Sequence, residues 1–369
     1  MVIMGLEMVL ICFPTVLVMV AQIRVGLWVR NGFAIRGQLM HYRDYMLREL
    51  CFDQDLFNLQ TALVLLETDT VLVTMLDRFN LTAYFNGIGS EDGDSTDIEI
   101  ADSSVAEGAE GGEEGVPVSP RTGPYKTQYT EISQLCGMVE ELLFVLITIL
   151  SENAAASRMP IPTAVRREIV HALAMGPCGF TELTKRVAER FGEHAAFEKI
   201  LEEVAVFRPP DGPNDVGIYE IKEDVLFEEV NPFFFHYTRN RREEVEVTLK
   251  TRMKKKLAKE GKTDKEWVYV PKKFGVTEGI YKDIPKVFES EVLLQIMFYT
   301  VFNVLVLTEG SGQGANADKA EAGGTTNAAA TSTTPPSGEA ILDQALHLIM
   351  LALVEKEDVF CIMAATHKF

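Results

Sequence analysis

The sequence predicts a mainly α-helical protein, a helical scaffold with an embedded winged-helix domain (three helices plus a small β-ribbon) and two disordered low-complexity inserts. Three observations predict it. Apolar residues recur at helical spacing through 18–85, 132–150 and 162–205. The clearest strand pattern, Ile218-Tyr219-Glu220-Ile221-Lys222, directly follows three short helical stretches. Two tracts, 87–128 and 309–338, fall to small, acidic and Thr/Pro residues that bury too little apolar surface to order themselves. The 369 residues, 47% of them hydrophobic, suffice for about two or three domains with real cores.

The expected divisions run in order. A helical scaffold fills 1–86, an acidic insert 87–128 and a buried scaffold helix 129–158. The winged helix fills 162–238, a charged helix and connector 239–286, a scaffold helix 287–308, a second insert 309–338 and a last scaffold helix 339–360. The apolar start, MVIMGLEMVLICFPTVLVMVAQI, is interrupted by Glu7 and Pro14 and lacks a basic lead-in or a small-residue cleavage pattern. It predicts a scaffold helix broken near Pro14 rather than a signal or a membrane span. Leu56, Leu59, Leu63 and Leu66, then Leu72, Met75, Leu76 and Phe79, continue the helical block. VEELLFVLITIL, apolar on nearly every side, predicts a fully buried helix.

In the winged helix, Pro162 and Thr163 open the first helix, with Val165, Ile169, Ala172 and Leu173 on one face, and Gly176-Pro177 closes it. Leu183, Val187 and Phe191, four apart, predict one short second helix. Phe197, Ile200, Leu201, Val204 and Ala205 form the stripe of the third. That helix carries Glu193, Glu198, Glu202 and Glu203 against Lys199 alone, so phosphate should repel it. The net charge of −19 points the same way, against nucleic acid as a partner.

The run EVNPFFFHYTRNRREEVE places Phe233, Phe234, Phe235 and Tyr237 where they cover the base of the winged helix. His236 has no acid or cysteine near it in sequence and reads as structural. Beyond it, Glu246 and Lys250 sit four apart as on a solvated helix, and Lys254-Lys255-Lys256 is a candidate docking or nuclear-localisation patch, with Lys254 to Lys262 as its full extent. The five cysteines, Cys12, Cys51, Cys136, Cys178 and Cys361, lie at no metal-finger spacing and read as reduced core residues, which places the protein in the cytoplasm or also the nucleus. No catalytic, cofactor-binding or metal residue is assigned. Neither a phosphate loop after a strand, nor HExxH, nor a nucleophile elbow occurs.

VRREIVHALAMGPCGFTELTKRVAERFGEHAAFEKILEEVAVFRPP, followed by GIYEIKEDVLFEEVNPFFFHYTRNRREEVE, resembles the winged-helix region of the UBR-box N-recognins, RING-type E3 ubiquitin ligases of the N-degron pathway. WVRNG and HYRDYMLREL...FDQDLFNLQ upstream resemble the same family's scaffold. VFESEVLLQIMFYTVFNVL and ILDQALHLIMLALVEKE resemble the helices that follow, so the likeness spans 18–360 apart from the inserts and is nearest to fungal members. It implies a part in marking proteins with destabilising N-terminal residues for proteasomal degradation, with a ubiquitin-conjugating enzyme and N-degron substrates as partners of the intact ligase. The family's UBR box and RING hold zinc in dense Cys/His clusters that this chain lacks. It is therefore expected to be a middle scaffold segment, without cofactor and inactive alone. A RING ligase works by proximity, so such a frame acts by setting a distance. The alternatives are a free-standing interaction module derived from such a ligase, and a winged-helix nucleic-acid binder.

Overall fold

A computed structural model describes residues 15–28, 32–43, 48–85, 129, 131–210, 212, 216–261, 267–311 and 338–366. Most of the expected inserts, and the chain before Thr15, lie outside these residues. Among the described residues the regular elements are helices and one two-stranded antiparallel sheet.

The scaffold begins with α1 (Thr15–Arg24) and α2 (Gly32–Arg43). Then come α3 (Phe52–Leu65), α4 (Thr68–Arg78) and α5 (Thr82–Phe85). In α3 the apolar stripe Phe52, Leu56, Leu59 and Leu63 is buried, while Asp53 and Asp55 lie in the first turn, where the helix dipole favours negative charge. Glu67 starts α4 by accepting hydrogen bonds from the backbone N–H groups of Asp69 and Thr70.

The core centres on α6 (Ile132–Ser151), where thirteen of twenty residues are buried, as its all-round apolar sequence requires. α6 is long and apolar enough to cross a bilayer, and 67% of that apolar window is buried inside the protein. It packs against α3 and the C-terminal α14 (Gly338–Thr366). Gln60 of α3, fully inside, donates to the carbonyls of Ile149 (2.8 Å) and Glu152 (2.6 Å), occupying acceptors that the end of α6 leaves open.

The expected scaffold helix 287–308 is two elements. A 3₁₀ segment (Ile280–Glu289) containing Pro285 gives way at Ser290 to α13 (Glu291–Ser311), with a bend of 52°. Pro285 lacks the N–H for a continuous ladder, and Ser290 restarts the helix by accepting the Leu293 N–H at 3.0 Å through its hydroxyl. The same buried hydroxyl reaches Asp69 of α4. Ser290→Ala removes both interactions and is expected to cost about 1–2 kcal/mol, read from the urea midpoint. α14 also outruns its expected end at 360, bending at Lys356 (φ −144°, ψ 50°) and carrying Cys361 into solvent. Cys51 is half-buried, so of the described cysteines only Cys136 and Cys178 are buried core residues.

The winged helix comprises α7 (Ile161–Ala174), α8 (Phe180–Arg186), α9 (Glu189–Gly192), α10 (Phe197–Val204), β1 (Ala205–Arg208) and β2 (Ile218–Ile221), followed by α11 (Glu223–Glu229). The single second helix expected around Leu183, Val187 and Phe191 is broken at Val187, whose backbone is extended (φ −100°, ψ 149°). All three side chains are nonetheless buried, because α8 and α9 both lean on α7. Ala205, expected to end the third helix, opens β1 instead, although its N–H still bonds Leu201 O. Cys178 bridges to Tyr219 on the far side of β2 and completes the small ribbon.

The last element, α12 (Arg239–Lys259), departs from the expected solvated helix along one narrow stripe: Arg242, Val245 and Leu249 are buried. Arg242 faces Asp343 of α14 at 3.5 Å. Glu246, expected to pair with Lys250, lies 3.6 Å from Arg242.

Candidate functional site

Among the described residues, charged, aromatic and hydrogen-bonding side chains converge at the junction of scaffold and winged helix. The scaffold contributes Arg48 and Asp53 at the start of α3 and Glu152 after α6. α7 contributes Arg167, Glu168 and His171. The aromatic turn contributes Phe233 to Tyr237.

Arg167 and His171 are four apart, so one helix face presents both. Nη1 of Arg167 donates to Glu152 Oε1 at 2.8 Å, and Nη2 donates to Oε2, a bidentate pair across the junction. Burial works against both charges. The pairing outweighs it, holding the Glu152 carboxyl below its ordinary range and raising the Arg167 guanidinium. His171 donates from Nδ1 to the Arg167 carbonyl at 2.7 Å and accepts the Asn231 N–H on Nε2 at 3.1 Å, which makes it the neutral Nδ1–H tautomer. Burial, then the neighbouring Arg167 charge, push it down to about 3.

His236 lies in the same network, and its place agrees with a structural histidine that has no acid near it in sequence. Its acid partners exist, 68 and 183 residues away. Nδ1 lies 3.1 Å from Glu168 Oε1 and Nε2 lies 3.3 Å from Asp53 Oδ1. Burial alone would lower its pKa, but Glu168 and the Asp53 hydrogen bond raise it above the ordinary value. Glu168, resisted by burial but facing His236, Arg48 and Arg167, falls to about 2. Asp53 belongs to the scaffold and Glu168 to the winged helix, so a protonated His236 ties the two together.

The three adjacent phenylalanines go to three different elements. Phe233 stacks on His347 of α14 with centroids 3.6 Å apart, Phe234 stacks on His171 of α7 at 4.0 Å, and Phe235 stacks on Phe52 of α3 at 6.4 Å. The Arg167 guanidinium carbon lies 4.9 Å from the Phe234 centroid, and the Tyr237 hydroxyl donates to the His171 carbonyl at 2.7 Å. The turn therefore does more than cover the winged helix: it bolts that domain to both ends of the scaffold.

A cleft of about 400 Å³ opens beside this network, between Arg48, Asp53, Phe57, Met159, Arg190 and Phe235. Its lining contains no Ser, Thr, Cys, Lys or Tyr, and its carboxylates Glu49, Asp53, Glu152 and Glu168 are each ion-paired with an arginine or with His236. Among the described residues no group of three or more His, Cys, Asp or Glu is placed to hold a metal ion. Glu168 and Asp53 take opposite ring nitrogens of His236, so the three do not converge on one point. The site's contacts join the winged helix to the scaffold. In the basic patch Lys254 and Lys255 are exposed, while Lys256 is partly buried with its ammonium 5.0 Å from the Phe227 ring centroid.

Known proteins are similar to this chain in sequence. Residues 164–264 match the family described as E3 ubiquitin-protein ligase UBR1-like, winged-helix domain, and residues 5–105 match the UBR1/2/3-like ARM repeat domain. The E3 ubiquitin-protein ligase ubr1 of Schizosaccharomyces pombe is 32% identical over 239 residues, covering 65% of this chain and 10% of the relative. The chain carries a UBR1-like winged-helix domain and a UBR1/2/3-like ARM repeat domain. The UBR2 ligase of Mus musculus is 25% identical over 343 residues, 92% of the UBR1-like chain and 16% of the mouse protein. Human UBR1 is 27% identical over 232 residues, covering 62% of this chain and 11% of the human protein. The UBR1-like chain thus spans 10–16% of the length of these three relatives. Its scaffold helices α3 and α4 fall inside the ARM-repeat match, and its junction residues on α7 and the aromatic turn fall inside the winged-helix match.

Proposed function

We propose that this chain supplies the scaffold and winged-helix segment of an E3 ubiquitin-protein ligase that acts on proteins bearing destabilising N-terminal residues, and that its work is to set a distance. The observation that carries the reading is the buried, charge-paired junction, in a chain where an ARM-repeat match precedes a winged-helix match. A frame that bends would let the substrate lysine and the conjugating enzyme's thioester drift apart. Rigidity at such a joint preserves the effective concentration on which proximity transfer depends. In this reading the ubiquitin-conjugating enzyme and the N-degron substrate bind elsewhere on the intact ligase, zinc belongs to those other parts, and this segment alone transfers no ubiquitin. The setting is cytoplasmic, and also nuclear where the exposed Lys254 and Lys255 serve as a localisation signal.

The test exchanges this chain for the matching segment of the fission-yeast ligase and follows the half-life of reporters that begin with arginine or methionine. The expected result is rapid loss of the arginine reporter alone. An arginine reporter that stays stable while the chimera accumulates to normal levels would overturn the proposal. Ubiquitin transfer by the purified chain with only activating and conjugating enzymes added would overturn its non-catalytic part.

A further inference from the structure

The winged helix carries a second surface, built from residues other than those of the junction and independent of the scaffold reading. On the β-ribbon, Phe180, Phe207 and Val216 are 38%, 52% and 73% exposed. They form one strip because two glycines let them approach the backbone. A Cβ at Gly217 would lie 2.6 Å from Phe207 Cε2, and one at Gly179 would lie 3.2 Å from Val216 Cγ1. Phe180 continues the strip edge-on to Phe197, the first residue of α10, at 5.8 Å. Large aromatics left in solvent over glycines mark a contact surface better than a core.

The edge of the ribbon is open beside this strip. The Lys222 N–H donates to the Val204 carbonyl at 3.0 Å, so alternation in the antiparallel ladder assigns the hydrogen-bonded pairs to Val206 with Glu220 and Arg208 with Ile218. Tyr219 agrees with that register, because it exchanges its bonds with Cys178 on the other side. Phe207 therefore turns its N–H and C=O away from β2, and among the described residues no backbone group meets them. Such an edge takes another strand.

The charge around it selects the strand. α10 presents Glu198 and Glu202 to solvent, with Glu193 exposed just before it and Lys199 the only base in the helix. Glu198 follows Phe197, against which the strip ends, and Glu202 lies one turn before β1. Phosphate is repelled from this helix, whereas lysine and arginine are attracted.

We infer that the free edge of β1, the Phe180–Phe207–Val216 strip and the acidic face of α10 form a docking surface for an extended, lysine- or arginine-rich segment of another protein, which adds to β1 with apolar side chains on the strip and basic ones toward Glu198 and Glu202. Alternation of side chains along the added strand delivers both kinds of contact at once. The Pro209-Pro210 pair ends the available edge and limits docking to a few residues.

The test uses the full chain and a fluorescein-labelled peptide alternating lysine and valine, followed by anisotropy at low and physiological salt. The matched glutamate–valine peptide and a labelled DNA duplex are the controls. The expected result is saturable binding of the basic peptide only, weakened about tenfold by Glu198→Lys with Glu202→Lys and about fivefold by Phe207→Ser. Hydrogen exchange supplies a readout that does not depend on those variants, since the Phe207 amide should become protected in the complex. Equal binding of both peptides, binding unchanged by both variants, an unprotected Phe207 amide, or stronger binding of the duplex would each overturn the proposal. So would self-association of the chain through this surface in sedimentation, because a second copy would then be the occupant.

Discussion

Arg167→Ala is expected to destabilise the chain by about 3–5 kcal/mol, because it leaves the Glu152 carboxylate buried without its bidentate partner. The loss has a second component. Arg167 also covers Phe234, so truncation loosens the packing that holds the aromatic turn. The control is the double replacement Arg167→Met with Glu152→Leu, which removes both charges and fills their volume. It should be less destabilising than the alanine change, since a buried pair recovers little beyond its own desolvation. Urea midpoints of the alanine variant, the methionine single variant, the leucine single variant and the double variant measure this. A double variant worse than both singles would show that the pair stabilises the junction by more than mutual neutralisation. In the chimeric ligase the alanine variant should also lengthen the life of the arginine reporter even at temperatures where the chain stays folded, because the frame has lost its lock.

The second large effect is on acid stability. His171 and His347 are held neutral, each pushed down to about 3 by burial first and then by a neighbouring arginine, Arg167 or Arg242. In the unfolded chain both protonate near pH 6.5, so below that pH the unfolded state binds more protons than the folded one, and stability falls as pH falls. Each contributes about 1.4 kcal/mol per pH unit on that limb, or about 3–4 kcal/mol together between pH 6.5 and 5. His236 acts in the opposite sense. Its folded pKa is raised, so its contribution is complete below pH 6.5 and is lost as pH rises through the folded value. Glu168, held down to about 2, contributes above pH 4.5 and loses its contribution as pH falls from there towards 2. The chain should therefore be most stable near neutrality. A pH series of urea midpoints measures this, and His347→Phe, which retains a ring against Phe233, should remove about half of the slope between pH 6.5 and 5. An unchanged slope would mean that His347 accepts a proton inside the fold.

Much of the fold is legible in residue patterns because those patterns are local. VEELLFVLITIL declares a buried helix through its lack of a polar face, and α6 is that helix. The stripes at Val165 and Phe197 place α7 and α10, and Ile218 to Ile221 is the second strand. The errors are also physical. Val187 fits a helical spacing of four yet sits in extended backbone, because packing against α7 rewards burial of the side chain whatever the local conformation. Ala205 fits the α10 stripe, but pairing with Ile221 is a contact sixteen residues distant that no helical window registers. At 280–290, Pro285 announces a break only to a reader who knows that the segment is helical on both sides.

The junction was the least legible part. EVNPFFFHYTRN signals an aromatic cluster, but three adjacent rings look alike in sequence, and only the folded chain sends them separately to α14, α7 and α3. His236 appears unpartnered because Glu168 and Asp53 reach it across 68 and 183 residues. Its neighbour in the network, His171, is neutral by burial, a property of its surroundings alone.

By itself, then, the sequence determined which segments are helical, where the winged helix lies, that its third helix is acidic, and which family the motifs resemble. These are properties of short-range periodicity, composition and motif order, and they persist however the segments are arranged. The tertiary structure alone decided that the winged helix is locked to the scaffold, which charges pay for one another's burial, and that one edge of the ribbon is left open. Those depend on contacts between residues far apart in the chain. Such contacts form only when chain entropy is overcome by the whole core at once, so no local stretch encodes them.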